Sequence, residues 1–259
     1  MVSAMSGVDW EVLWLDEVDS TNTYVQARAR QGDAEGLVAV ADHQTAGRGR
    51  LDRRWESPPG ANLLASVLLR PDGDGTDVHL CTGAVALAAA DACQEVAGVE
   101  PVLKWPNDLL VGGLKLAGVL AEAEFSGAAL SAVVVGIGIN VAWPGPEGAG
   151  GTCLDDVSLT GHPVDRALLL QQLLRSLTYW RGLLGDAAGR NLLADEVRRR
   201  CATLGQTVRV TLAGGQHLTG RAAAIDDAGQ LVVHTASGPR LVAAGDVVHV
   251  RPGQGEGGG

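Results

Sequence analysis

Apolar positions along this chain follow two periods, and the change between them divides it. Trp10 to Leu15 alternates loosely as a strand does, Leu37 to Ala41 is a short apolar run, and Asn62 to Leu69 is a longer one. Asp19-Ser20-Thr21-Asn22 supplies good helix N-caps ahead of Thr23 to Arg30, with Gly32 as a stop. Arg70 to Asp77 is a Gly- and Asp-rich turn. Val78 to Val96 is Ala-rich and lacks Gly after Gly83, which predicts the principal helix of this half. Pro106 interrupts the run from Val102 to Asp108 and places Trp105 to Asp108 on an edge or bulge. Leu109 to Val111, the Gly112-Gly113 turn and Leu114 to Glu124 read as a hairpin, followed by a Ser126-Gly127 turn and a buried strand from Ala132 to Val141.

Beyond the Gly/Pro loop from Trp143 to Gly151, the segments Asp165 to Leu184 and Arg190 to Cys201 carry leucine stripes at helical spacing, read as core packing. At Gly205 the period shortens. Thr207 to Leu212, His217 to Ile225, Leu231 to Thr235 and Arg240 to Val250 form short strands, with turns at Gly214-Gly215, Asp226 to Gly229 and Gly238-Pro239. Meandering strands at this spacing predict a compact SH3-like β-barrel, ahead of a disordered tail from Gln254 to Gly259. The expected division is 1–204, 205–251 and a Gly-rich tail at 252–259.

Composition sharpens this only in places. At 259 residues, 46% hydrophobic and 19% charged, the chain has the make-up of a soluble globular protein with a proper core. A net charge of −10 argues against a nucleic-acid surface as its main business. Met1 to Val8 has neither a basic nor an apolar signal region, and no uninterrupted apolar run reaches a membrane span, so a cytoplasmic location is expected. Cys81, Cys93, Cys153 and Cys201 are scattered and read as reduced thiols.

Against that acidic background, Gln44 to Trp55 stands out. Arg48, Arg50, Arg53 and Arg54 fall in one loop with Gly47 and Gly49, and Trp55 ends it. Guanidinium forks and backbone N–H groups together suit a phosphate or carboxylate, ahead of a merely solvated basic loop. Four arginines repel one another without an anion, so the loop is expected to be mobile when empty. The chain has eighteen arginines but only two lysines, Lys104 and Lys115, which suggests that an ammonium is needed there. Gly118 follows Lys115 on the hairpin, where a ligand can approach the backbone. Gly136 and Gly138 either let their strand pass under a flat ligand or mark a crowded core strand. Ser20, Thr21 and Asn22 either cap a helix or present exposed polar groups to a ligand.

Five stretches in order, DSTN (Asp19 to Asn22), QTAGRGR with Arg53 and Trp55, KWPNDLL (Lys104 to Leu110), KLAGVLAE (Lys115 to Glu122) and GIGINV (Gly136 to Val141), resemble the biotin protein ligases over residues 10 to 251. One departure is Asp52, where the family's G-R-G-R-x-G-R-x-W pattern has Gly. The resemblance implies an α+β fold: a mixed β-sheet flanked by helices, like a class II synthetase, followed by the SH3-like barrel. It implies activation of biotin by ATP and Mg²⁺ to biotinyl-5′-AMP and pyrophosphate, then transfer to a lysine of a biotin carboxyl carrier domain. Ser20, Thr21 and Gln44 would then bind the ureido head, with room for the bicycle over Gly136 and Gly138. The backbone of Arg48 to Arg50 and the side chain of Lys115 would surround the carboxylate and α-phosphate. Asn107, Asp108 and Asn140 would face the adenylate or Mg²⁺, Asp108 being the metal ligand among them and the residue to relieve the acceptor amine of its proton. Lipoate ligases share the fold without the GRGR loop. Repressor members carry a helix-turn-helix before the DSTN-like stretch, for which eighteen residues are too few, so no DNA partner is expected. A non-enzymatic binding module is disfavoured by the retained lysines and arginines. A monomer or weak homodimer is expected.

Overall fold

A computed structural model of the chain describes residues 8–249 apart from 52, 72–74, 76, 128, 213, 214 and 244. The tail from Gln254, Asp52, Gly214 and most of the turn expected between Arg70 and Asp77 therefore lie outside the described residues. The principal sheet has seven strands: β1 (Glu11–Val18), β2 (Leu37–Gln44), β3 (Leu63–Leu69), β4 (Val102–Lys104), β5 (Asp108–Val111), β6 (Leu114–Ser126) and β7 (Ala129–Ile139). Their spatial order is β1-β2-β3-β7-β6-β5-β4; β1 and β2 run parallel and the other pairs antiparallel. This is the expected mixed sheet of an α+β fold.

The burial of each strand follows its place. All seven residues of β3 are buried because it lies inside the sheet with helices on both faces. One face takes α1 (Thr21–Arg30) through Val25 and Ala29; the other takes α2 (Val78–Ala97), which packs in turn on α4 (Arg166–Gly182). Although α2 is long and apolar enough to cross a membrane by length and composition, it is mostly buried in this core. The leucine stripe of α4 is core as expected, with Leu169, Leu173 and Leu177 inaccessible, and Asp165 caps that helix by accepting from Ala167 N and Leu168 N. A short α3 (Leu154–Val157) precedes it, and α5 (Ala187–Arg200) leads out of the layer.

The last five strands, β8 (Thr207–Thr211), β9 (His217–Ile225), β10 (Leu231–Thr235), β11 (Gly238–Val242) and β12 (Asp246–His249), form an antiparallel sheet ordered β11-β10-β9-β8-β12. Val242 of β11 and Val247 of β12 share one core although their strands end opposite sides of the ladder, so the sheet is curled. The expected single strand from Arg240 to Val250 is two, because the chain leaves β10 and crosses to β8 between them. The crossing requires Gly245, where a Cβ would stand 2.6 Å from Val210 Cγ1. Gly238-Pro239 is not a turn but the start of β11, an outer strand where proline's missing donor is tolerated.

Candidate active site

Three segments remote in sequence meet over the glycines of β7. The first is the start of α1. Ser20, Thr21 and Asn22 are not exposed: they retain 3%, 4% and 4% of their surface, and the protein itself takes up much of their hydrogen bonding. Ser20 makes no side-chain cap; Gln44 from β2 does that work, its Oε1 accepting from Thr21 N (2.8 Å) and Thr21 Oγ1 (3.1 Å). The Ser66 hydroxyl lies 2.7 Å from Thr21 Oγ1 and 2.6 Å from Asn22 Oδ1. Asn22 Nδ2 donates to Glu122 Oε2 (2.7 Å), which also receives Arg48 Nη2 (2.8 Å). A continuous polar chain thus runs from Gln44 under the cavity to the arginine loop.

That loop is a tight hairpin. Gly49 N donates to Arg53 O (2.7 Å) and Trp55 N to Gly47 O (2.9 Å). Gly47 is glycine for close approach, since a Cβ there would strike Trp55 O, whereas the positive φ of the turn falls on Leu51 (55°). Each arginine has its own hydrogen-bond partner, but only Arg48 and Arg53 meet a carboxylate, so the loop keeps uncompensated positive charge. Arg48 pairs with Glu122, Arg50 donates to Asn107 Oδ1 (3.4 Å), Arg53 pairs with Asp246, and Arg54 donates to Thr45 O (2.8 Å). Burial lowers the pKa of Arg50, with Asp108 and Asp246 acting against that.

Trp55 folds back over the sheet. Its indole packs on Gly118 and Gly138, where a Cβ at Gly138 would be 2.6 Å from Nε1 and 2.7 Å from Cζ2. A Cβ at Gly136 would collide with Asn22. The room that these glycines leave is therefore filled by the chain's own side chains, not left open for a bicycle. Trp55 Nε1 is buried without a hydrogen-bond partner, an orphan that calls for an acceptor.

The third segment runs from Lys104 to Lys115. Trp105 is 6% exposed and sits in the core of the C-terminal sheet, its N donating to Thr203 Oγ1 (3.1 Å) and its Nε1 to Gly229 O (3.0 Å). The cis Trp105-Pro106 bond lies in the turn between β4 and β5; β4 is the edge strand, whereas Asp108 opens the inner β5, so the edge expected for Trp105 to Asp108 falls one strand earlier. Asn107 is clamped to Val119 in both directions, Nδ2 donating to its O (2.8 Å) and O accepting from its N (2.9 Å). Lys104 faces Asp108 across β4 and β5, and Asp108 faces Gly118 across β5 and β6. A register shift between Leu109 and Leu110 matters here. It lets Lys115 and Gly118, an odd number of residues apart, share one face, with Lys115 Nζ 2.7 Å from Asp108 Oδ1.

One expected residue stands apart. Asn140 is buried behind the cavity, its Nδ2 donating to Pro144 O and Thr152 O (3.0 Å each) and its Oδ1 accepting from Asn62. It fastens the loop before α3 and does not line the cavity; Gly47 does not line it either. The other sequence-selected residues do, around a space of about 130 Å³. Six cationic side chains, Arg48, Arg50, Arg53, Arg54, Lys104 and Lys115, face Asp108 and Asp246 in the lining and Glu122 beside it on Arg48, an excess of three positive charges in an acidic chain. Such a wall receives a polyanion. Asp246, Glu122 and Ser66 escaped the sequence reading, because single acidic or hydroxyl residues inside strands carry no local pattern.

Residues 14–140 match the model of the biotin/lipoate A/B protein ligase family, and residues 203–250 that of the biotin protein ligase C-terminal domain. A biotin--[acetyl-CoA-carboxylase] ligase of Mycobacterium tuberculosis is 38% identical, covering 95% of this chain and 92% of that protein. A second, from Paracoccus denitrificans, is 34% identical over 90% and 98%. The Aquifex aeolicus biotin protein ligase, solved in complex with biotin and ATP, superposes with a TM-score of 0.75 at 26% identity, over 93% of this chain and 99% of that one. With the glycine-floored cavity, the arginine loop and the two lysines all in one place, these likenesses make the chain a member of the biotin protein ligase family.

Proposed function

We propose that this chain activates biotin with MgATP to biotinyl-5′-AMP and pyrophosphate, and then transfers biotin to a lysine of a biotin carboxyl carrier domain. The observation that carries this reading is the joining, in one cavity, of the buried Thr21–Gln44 network to a wall with three excess positive charges. The ligase names of its relatives and the biotin and ATP bound in the Aquifex aeolicus structure support it.

The ureido head meets Ser20, Thr21 and Gln44, whose amide nitrogen remains available once Oε1 is taken by Thr21. The bicycle lies along Gly138, beside the Asn22-covered Gly136, so its entry moves the Trp55 indole and gives the orphaned N–H an acceptor. In adenylation a biotin carboxylate oxygen bonds to the α-phosphorus, and the bond to the bridging oxygen breaks so that pyrophosphate leaves. Bringing two anions together is opposed by Coulomb repulsion, which Arg50, Lys104 and Lys115 offset in a partly dry site. In transfer the acceptor amine attacks the acyl carbon and AMP departs; positioning dominates, because AMP is already a good leaving group.

Magnesium enters as the nucleotide's own counter-ion. Among the described residues no three His, Cys, Asp or Glu side chains cluster as a metal site, and Asp108 and Asp246 are both ion-paired. When Lys115 turns to the phosphate, Asp108 is released to face the metal or to accept the amine's proton. We assign the cavity's floor and Trp105 to a unit spanning 1–204, and the sheet core that Trp105 enters to a unit spanning 205–251. Incubation with radiolabelled biotin, MgATP and a purified carrier domain tests the whole reading: label should appear on the carrier protein, and its absence rejects the assignment.

A further inference from the structure

Arg53 and Asp246 tie the arginine loop to the last strand of the C-terminal sheet, and the chemistry above leaves Asp246 without a task. Arg53 Nη2 lies 2.6 Å from Asp246 Oδ2 and Nη1 3.2 Å from Oδ1, a guanidinium fork closed on a carboxylate. The direction of that carboxylate is set by the sheet: Asp246 opens β12 opposite Thr211, immediately after Gly245 has passed against Val210. Its side chain lines the same cavity as Lys104 and Lys115. Arg53, and more distantly the two lysines, hold its carboxyl below the usual carboxylate range, with burial acting in the opposite direction. A carboxylate carried by the protein thus stands among three of the cations that a polyphosphate would meet.

The tie is weak by construction. Arg53 and Asp246 are 61% and 43% exposed, and ion pairs that wet contribute little and exchange readily. A triphosphate brings more charge and equally good fork geometry. We infer that Asp246 is a positioning residue that stands in for substrate phosphate. It holds Arg53 and keeps the C-terminal sheet against the loop until a nucleoside triphosphate displaces it, so that nucleotide entry frees β12 from Arg53. The identity of the polyanion rests on the ligase reading; the competition for Arg53 does not.

The test uses the full chain and the near-isosteric Asp246→Asn. Calorimetry without biotin should show ATP and inorganic tripolyphosphate binding about two- to five-fold more tightly, the range over which an exposed ion pair competes. Adenosine, which has no phosphate, should bind as to the wild type, and Arg53→Gln should weaken ATP. Unchanged or weaker tripolyphosphate binding in Asp246→Asn overturns the proposal, since a brace or a metal ligand would give that result. Hydrogen exchange on the wild type supplies a second reading that needs no variant: amides of β12 should exchange faster with ATP bound, and slower or equal exchange overturns the release. If the wild type fails to label a carrier domain while tripolyphosphate still binds more tightly to Asp246→Asn, the ligase reading fails and the phosphate competition stands.

Discussion

Lys115 Nζ and Asp108 Oδ1 are 2.7 Å apart, with side chains 36% and 18% exposed, so each is the other's counter-ion at the cationic wall. The pairing exists because the register shift in β6 brings Lys115 onto the face of Gly118, directly above Asp108's position in β5. Lys115 Nζ also stands 5.5 Å over the Trp55 ring, which ties the ammonium to the arginine loop. Removing either partner leaves a charge without its neighbour, so the two are coupled in stability as well as in chemistry.

Lys115→Ala should cripple adenylation. Loss of one well-placed donor to developing charge costs ~10²–10³ in rate, read as biotin-dependent exchange of pyrophosphate into ATP. Lys115→Arg should not restore it, because a longer planar fork cannot occupy an ammonium's position beside Asp108. Supplied with preformed biotinyl-AMP, the Ala variant should lose less in transfer than in adenylation. Lys104→Ala should lose less in either step. Near-normal exchange by Lys115→Ala would refute the role given to this residue.

Gly136→Ala tests the floor. Its Cβ would press on Asn22 Oδ1 and Cγ, and Asn22 cannot yield easily, being 4% exposed and held by Ser66, Leu120 and Glu122. Overpacking of this kind costs about 1–3 kcal/mol, measurable by denaturant unfolding. In an Asn22→Ala background the same substitution should cost markedly less. Additive costs would show that the contact with Asn22 does not decide the matter.

How much of this was legible depends on the range of the interaction. Apolar period gave the helix at Val78, the hairpin around Gly112-Gly113 and the strands of the C-terminal sheet, because each reports on burial of its own segment. It misjudged the end of the chain, since the break between Val242 and Asp246 is set by a change of partner strand and not by local sequence. The polar stretches converge on one cavity, but local sequence does not say what each side chain contacts there. Asn140 looks like a ligand group and is a loop fastener; Gly138 looks like open space and carries Trp55. Asp246 stands 193 residues from Arg53, and nothing in the sequence joins the two.

The cysteines should be inert in the native protein. Burial pushes the Cys81 and Cys93 thiols up to about 12 and Cys153 up to about 11, so at pH 8 all three stay protonated and poorly nucleophilic. Cys201 is buried as well. Iodoacetamide at pH 8 should label these positions slowly in buffer and quickly in denaturant, counted by mass spectrometry. Rapid native labelling of Cys81 or Cys93 would contradict their packing against α2's neighbours.

Acid should loosen the α5 attachment through Glu196. Its carboxylate accepts from Arg199 (2.6 and 2.7 Å) and Arg200 (2.6 Å), and Arg200 reaches on to Asp91 (2.6 Å), which also receives Ser176 and Trp180. The Arg199 hydrogen bond, with Arg200 behind it and burial opposing, holds Glu196 at about 2 against an ordinary 4.5. A carboxyl depressed in the folded state binds fewer protons there than when unfolded. Its stabilisation is therefore present above pH 4.5 and is lost as pH falls from there towards 2. Arg199 is 65% exposed, so its share is screened, and the Arg200 arm, 20% exposed, carries more of the effect. Glu196→Gln should lower the melting temperature at pH 7 and approach the wild type near pH 2.5, flattening the acid limb. The flattening will be partial, because Asp246 is also depressed and acts in the same direction. Melting curves at pH 7, 4 and 2.5 check this, and an equal deficit at all three would assign Glu196 a packing role with no linked proton.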